Sequence, residues 1–181
     1  MAHITIPEGA PGIRGLFAAS PETAVHISGL AEALLCGPSS LTRGERELIG
    51  AYVSSGNECR FCMRSHASTA RHLLGESSGI VDEVLGGNQE SLDAKMRALL
   101  IIADKVRREG REVTPEDVAR ARAAGADDKA IHDTVLITAM FCMANRYVDG
   151  LGTWTPEDES VYEASGAYRA AHGYLTTPSI T

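Results

Sequence analysis

From Ser20 onward the chain repeats one pattern: a capping residue, apolar side chains every three or four positions, then a glycine stop. Ser20-Pro21-Glu22 sets a cap before proline at the first helical position, and the helix it opens runs through Val25, Leu30 and Leu34 to Gly37-Pro38. Thr42-Arg43-Gly44-Glu45 has the spacing of a capping box, and Leu48, Ile49, Tyr52 and Val53 follow it at helical intervals as far as Gly56-Asn57. A further helix is predicted from about Glu58 to Leu74-Gly75, and a short one from Ile80 to Leu85. Leu92, Met96, Leu99, Leu100, Ala103 and Val106 form a stripe in the segment that Gly110 closes. Thr114-Pro115 starts a short helix that ends near Gly125. Asp127 caps the last long helix, which carries Ile131, Val135, Leu136, Ala139, Cys142, Met143 and Val148 to Gly150. There is no sustained period-two run and no repeat of fixed length. The expected fold is all-α and a single domain over 1–181. An irregular N-terminal arm covers 1–19, and a tail over 153–181 holds one more helix after Thr155-Pro156-Glu157.

A chain of 181 residues with 44% apolar side chains can bury a sizeable core. Its net charge of −7 argues against nucleic acid or an anionic membrane as the main partner, since both need a basic face. The apolar stretches 98–103 and 135–143 are too short or interrupted to span a bilayer. The first residues show neither a basic nor an apolar leader region, so a cytoplasmic location is expected. Four cysteines in a chain this long do not make a disulfide scaffold, and only Cys59 and Cys62 are close in sequence.

On a helix Cys59, Cys62 and His66 fall at i, i+3 and i+7 and share one face. Cys59 lies in or just before the first turn, where free N–H groups favour a thiolate, and the adjacent Glu58 opposes that effect. If the Gly56-Asn57 turn folds two helices antiparallel, Glu47 and His66 each lie nine residues below it, at the same depth of roughly 13–14 Å. A carboxylate–imidazole–thiol relay is then available. Met63 stands where a c-type haem site needs histidine. Zinc would find Cys59, Cys62 and His66 and would need a fourth ligand from Glu47 or a distant residue. A thioredoxin-like site needs a preceding strand, and an amphipathic helix stands there instead. Inert, half-buried helix cysteines are the plain alternative.

Among the remaining polar residues, Cys36 and Cys142 read as buried structural thiols, and His72 as solvated and turned off the cysteine face. His26 and His132 have no carboxylate at a reinforcing spacing. Asn145 and Arg146, inside an apolar helix, read as an interhelix hydrogen-bond anchor or a subunit contact, and Tyr52 as core. Lys105, Arg107, Arg108 and Arg111 read as a solvated helix end.

Glu47, eleven residues, Cys59-x-x-Cys62, three residues and His66 together resemble the Glu-x11-Cys-x2-Cys-x3-His pattern of the alkylhydroperoxidase D-like, or carboxymuconolactone decarboxylase-like, superfamily. The resemblance covers a motif-bearing core of about 40–110. The segment from Phe141 to Gly152 resembles the Asn-Arg segment of the peroxidase-related branch. It implies an alkylhydroperoxidase D-like helical bundle with a Cys-x-x-Cys helix hairpin, assembled as a homo-oligomer, often a trimer or a multiple of it. It also implies thiol-dependent reduction of hydroperoxides. No cofactor and no metal are expected. By position, Cys62 would be the peroxidatic thiol, Cys59 the thiol that resolves it to a disulfide, and Glu47 and His66 the proton relay. A separate dithiol donor, protein or small thiol, would re-reduce the pair. Phe61 departs from the pattern, because the best-known peroxidase members carry histidine there. The decarboxylase branch typically lacks the cysteine pair, which argues against lactone decarboxylation. Two other readings stay open: a disulfide reductase or thiol redox sensor, and a metal-binding or structural interaction protein.

Overall fold

The computed structural model describes residues 2–175. Among these the chain is helical throughout: α1 Ile13–Ala19, α2 Pro21–Leu35, α3 Arg43–Gly56, α4 Arg60–Leu74, α5 Gly79–Leu85, α6 Ala94–Arg108, α7 Pro115–Ala123, α8 Asp128–Gly150 and α9 Glu159–His172. The caps explain the boundaries. At the head of α3 the Glu45 N–H donates to Thr42 Oγ1 at 3.2 Å, and the Thr42 N–H donates to Glu45 Oε2 at 2.7 Å. Thr114 and Asp117 form the same reciprocal pair before α7, and Asp127 accepts from the Ala130 N–H before α8. Ser20 occupies the N-cap of α2, but its hydroxyl makes no capping bond.

Helices α3 and α4 form an antiparallel hairpin, against which α8 and α9 pack. The reversal takes only Asn57, Glu58 and Cys59, and Glu58 sits at φ +61°, a left-handed backbone that is uncommon outside glycine. Its neighbours repay the turn with backbone bonds, since Cys59 N–H donates to Ser54 O at 3.0 Å and Asn57 N–H to Val53 O at 2.9 Å. The main core holds Leu35, Leu48, Ile49, Leu99, Leu100, Ile137 and Phe141. Buried Arg46 reaches under α2 and donates to Leu34 O at 2.8 Å and Gly37 O at 2.9 Å, satisfying carbonyls that the helix end leaves open. Cys59, Phe61, Cys62, Val148 and Tyr162 make a second, smaller core at the hairpin tip. No helix among the described residues is long and apolar enough to cross a membrane.

One boundary differs from the sequence expectation. Residues 13–19, read as part of an irregular arm, form α1, with Gly15 and Leu16 buried. Seven residues are too few to display a period, and the segment is held by long-range bonds such as Gly12 N–H to Trp154 O at 2.9 Å. The final helix, expected after Thr155-Pro156-Glu157, starts at Glu159 with Asp158 as its N-cap. Pro156 is buried and outside any helix, and its carbonyl accepts the Tyr162 hydroxyl at 2.8 Å. The Gly/Thr/Pro/Ser tail expected at the C-terminus falls on 176–181, outside the described residues.

Helix α9 approaches α4 so closely that a Cβ at Gly166 would lie 2.2 Å from Ser68 Oγ and 2.9 Å from the Ser68 carbonyl carbon. Backbone cannot swing aside. Gly166→Ala is therefore expected to lose about 1–3 kcal/mol of stability to overpacking, against a helix-propensity gain of at most about 1 kcal/mol. Gly29, in α2 with open space around its Cβ, should instead gain stability as alanine. Urea denaturation of the two variants checks both signs.

Candidate active site

The turn after α3 delivers Cys59 to the N-cap of α4, so Cys62 lies in the first turn and His66 one turn further on. All four cysteines of the described residues are free thiols, and Cys59 and Cys62 are buried. The two thiols are not equivalent. Cys62 is held below the ordinary cysteine range, first because Cys59 donates a hydrogen bond to it and further because the Asn145 amide lies beside it. Cys59, as the donor, is pushed up, with burial adding to the effect. The carboxylate that opposes ionisation of both thiols is Asp149 of α8, not the neighbouring Glu58 that the sequence suggested.

Below the thiols, Glu47 is 1% exposed and accepts two hydrogen bonds. His66 Nδ1–H donates to Oε2 at 2.7 Å, and the Tyr174 hydroxyl donates to Oε1 at 2.5 Å. Antiparallel pairing of α3 and α4 thus joins the two residues that the sequence sets at equal depth. The imidazole is held on two sides: Phe141 meets it edge-on with centroids 4.5 Å apart, and Tyr174 stacks on it at 6.0 Å and 11°. Tyr174 follows Gly173, whose φ of +73° turns the chain back after α9. Its own N–H donates to Glu32 Oε2 at 2.6 Å. Burial first, and the Glu47 charge next, hold the Tyr174 phenol well above its ordinary range, so it stays a donor.

Cys62, Ser65, His66 and Tyr174 open onto one cavity of about 100 Å³. Phe61 and Phe141 wall it beside the thiol, Ile13 and Phe17 of α1 and Ile27 of α2 close the far side, and Arg14 and Arg169 also face it. Phe61 is fixed in place between Tyr162, at 6.1 Å between ring centroids, and Gly12, where a Cβ would come within 2.2 Å of its ring.

Other expectations are met or corrected by what packs nearby. Asn145 is buried and ties α8 to the end of α3, donating to Ser54 Oγ at 3.0 Å and accepting from Asn57 Nδ2 at 2.8 Å. Arg146 is exposed and, among the described residues, bonds only to the Cys142 carbonyl one turn back. Tyr52 packs against the main core and does not reach the cavity. Cys36 and Cys142 are half-buried rather than buried. His72 is not simply solvated, because its Nε2 meets Glu163 of α9 at 2.9 Å. His26 is exposed, and His132 does have a carboxylate, Asp133, at 3.1 Å, far in sequence from the thiols. Lys105 is no free helix end: its ammonium reaches buried Asp117 at 2.5 Å and ties α6 to α7, while Arg107 donates to Gly56 O at 2.8 Å. Among the described residues no three His, Cys, Asp or Glu side chains gather to hold a metal ion.

Tyr174, Arg169, Arg14, Glu32 and Asp149 were not singled out from the sequence. Only the Gly173-Tyr174 stop carried a signal, a glycine exit that aims the next side chain back at the bundle.

A helical hairpin with a free Cys-x-x-Cys pair at the head of its second helix, inside an all-α bundle, defines the alkylhydroperoxidase D-like class of fold. Residues 21–105 match the model of the carboxymuconolactone decarboxylase family, so that family's segment spans α2 to α6 and includes the whole motif. Solved structures agree over most of the chain. An uncharacterized peroxidase-related protein from Silicibacter sp. TM1040 is 26% identical, with a TM-score of 0.75 over 86% of this chain and 80% of its own. The alkylhydroperoxidase AhpD core of an uncharacterized peroxidase-related protein from Ralstonia eutropha JMP134 is 26% identical, with a TM-score of 0.76 over 87% and 81%. A protein of unknown function from Agrobacterium tumefaciens, 21% identical, shares the fold with a TM-score of 0.70 over 87% of this chain and 100% of its own. No curated protein matches the sequence.

Proposed function

We propose that the protein is a thiol-dependent antioxidant enzyme that reduces hydroperoxides through Cys62 and Cys59. One arrangement carries the reading: the Cys62 thiol, held low by Cys59, opens onto the same apolar cavity as an imidazole that Glu47 orients. The peroxidase-related names of the relatives support it. With Nδ1–H given to Glu47, Nε2 is the nitrogen free to take the Cys62 proton and hand it on. The Cys62 thiolate attacks the terminal oxygen of the hydroperoxide and the O–O bond breaks. Sulfur is oxidised to a sulfenic acid, and the leaving alkoxide takes the proton from His66 and departs as alcohol. Cys59 then attacks Cys62 Sγ, the S–O bond breaks, and the hydroxyl leaves as water with the Cys59 proton. An external dithiol returns two electrons and two protons to the disulfide. Among the cavity-lining residues His66 is the sole imidazole, so with Phe61 at the pattern's usual histidine position the proton exchanged between Cys62 and the leaving alkoxide passes through His66.

Intact mass tests this directly. One equivalent of an organic hydroperoxide should remove two hydrogens from the reduced protein. Cleavage after glutamate isolates 59–76, which holds both thiols and no other cysteine, and the loss should map there. An unchanged mass, with both thiols still open to alkylation, would overturn the reading.

A further inference from the structure

Apart from the thiol, imidazole and hydroxyl groups of Cys62, His66, Ser28, Ser65 and Tyr174, the polar lining of this mostly apolar cavity is two cations. Arg169 of α9 and Arg14 of α1 both line it, and neither is ion-paired with a carboxylate among the described residues. Nη1 of Arg169 is buried with no hydrogen-bond partner among the described residues, although a charged donor removed from water ordinarily finds one. The carboxylates that meet Tyr174 serve other donors: Glu32 accepts from the Tyr174 N–H, and Glu47 accepts from Tyr174 and His66. Arg169 lies over the Tyr174 ring with its Cζ 5.9 Å from the ring centroid, a contact that pairs its charge with no anion. Burial and then the Arg169 charge draw Arg14 below the ordinary arginine range, as expected of two cations sharing a dry wall without a counter-ion. Arg43 also has an unpartnered Nε, but it is outside the cavity and its other nitrogens cap the end of α9.

We infer that the cavity is built for an anionic hydroperoxide, one carrying a carboxylate beside a small apolar body, with the carboxylate held by Arg169 and Arg14. A guanidinium matches the planar oxyanion in two-point geometry, and the phenylalanine and isoleucine walls take the rest. The volume, about 100 Å³, is of the order of the roughly 150 Å³ cavity that accepts benzene, so the buried body is a ring or a short branched chain. The hydroperoxide half of this inference rests on the function proposed above, whereas the anion half does not.

The test uses a matched pair, cumene hydroperoxide and its para-carboxylated analogue, with the unreactive para-isopropylbenzoate as a binding probe. The wild-type protein should prefer the carboxylated hydroperoxide in kcat/KM by about tenfold or more, the scale of one charge-assisted hydrogen bond. The ratio should collapse toward one in Arg169→Gln and in Arg14→Gln and persist in Arg169→Lys. The ratio is the readout because Arg169 also helps to lower Cys62, so its loss slows both substrates. Para-isopropylbenzoate should bind the reduced protein by calorimetry and protect Cys62 from alkylation, and both effects should vanish in Arg169→Gln. Equal turnover of the pair, or no benzoate binding, overturns the anion site and leaves the peroxidase reading standing. Arginine-dependent benzoate binding with neither hydroperoxide reduced supports the anion site and overturns that reading instead.

Discussion

Serine in place of Cys62 should reduce hydroperoxide consumption to the uncatalysed background, a loss of at least about a thousandfold, as expected when a nucleophile is removed outright. A hydroxyl at this position is not ionised at neutral pH, whereas the thiol is held low by a Cys59 hydrogen bond and the Asn145 amide. Removing the other thiol should act differently. Cys59→Ala leaves the attacking sulfur in place, so one turnover should proceed and stop at a Cys62 sulfenic acid that a dimedone probe traps. It also deletes the largest influence lowering Cys62, which is the donor that stabilises the thiolate. The sign follows: the pH midpoint for alkylation of Cys62 should rise in Cys59→Ala, and its rate at neutral pH should fall. Cys36 is no substitute, because burial pushes its thiol up. Full peroxide consumption by Cys62→Ser would place the chemistry elsewhere.

The features legible in the sequence are those that local chemistry sets. Thr42 and Glu45, Thr114 and Asp117, and Asp127 each sit within three residues of their partners, so spacing alone locates the starts of α3, α7 and α8. Glu47 and His66 are 19 residues apart, but both ride on regular helices joined by a tight turn, so the rise per residue carries the argument across. Tyr174 lies 127 residues from Glu47, and no periodicity spans that gap. It reaches the site because Gly166 lets α9 close on α4 and Gly173 then turns the chain inward. Arg14 was hidden for a related reason: a seven-residue helix in a glycine- and proline-rich arm displays no face until something packs on it. Asp149 shows the reverse error. Glu58 is adjacent in sequence to the cysteines, yet its left-handed turn leaves the opposing role to a carboxylate on another helix. Lys105 and His72 read as solvated in the sequence for the same reason, since their partners, Asp117 and Glu163, belong to other helices.

Glu47→Gln should separate the positioning of His66 from the stability of the bundle. The glutamine keeps the volume, and its carbonyl can still accept the Tyr174 hydroxyl, so the hairpin should remain folded with a melting temperature close to that of the wild type. What changes is the atom facing His66. An amide N–H there donates, so Nδ1 must become the acceptor and the ring proton moves to Nε2, the nitrogen needed to take the Cys62 proton. Loss of general acid–base assistance of this kind costs about a hundred- to ten-thousandfold. The expected result is therefore a folded protein with kcat/KM for hydroperoxide down by at least about a hundredfold and a flattened pH profile. Nitrogen NMR of His66 should report the exchanged tautomer. Glu47→Ala gives the contrasting outcome. It removes the acceptor from Tyr174 and His66 together in a buried site and should cost about 3 kcal/mol by urea denaturation. A Glu47→Gln enzyme with wild-type kcat/KM would mean that Glu47 only braces the hairpin, and that the proton leaves Cys62 by a route that does not depend on the histidine tautomer.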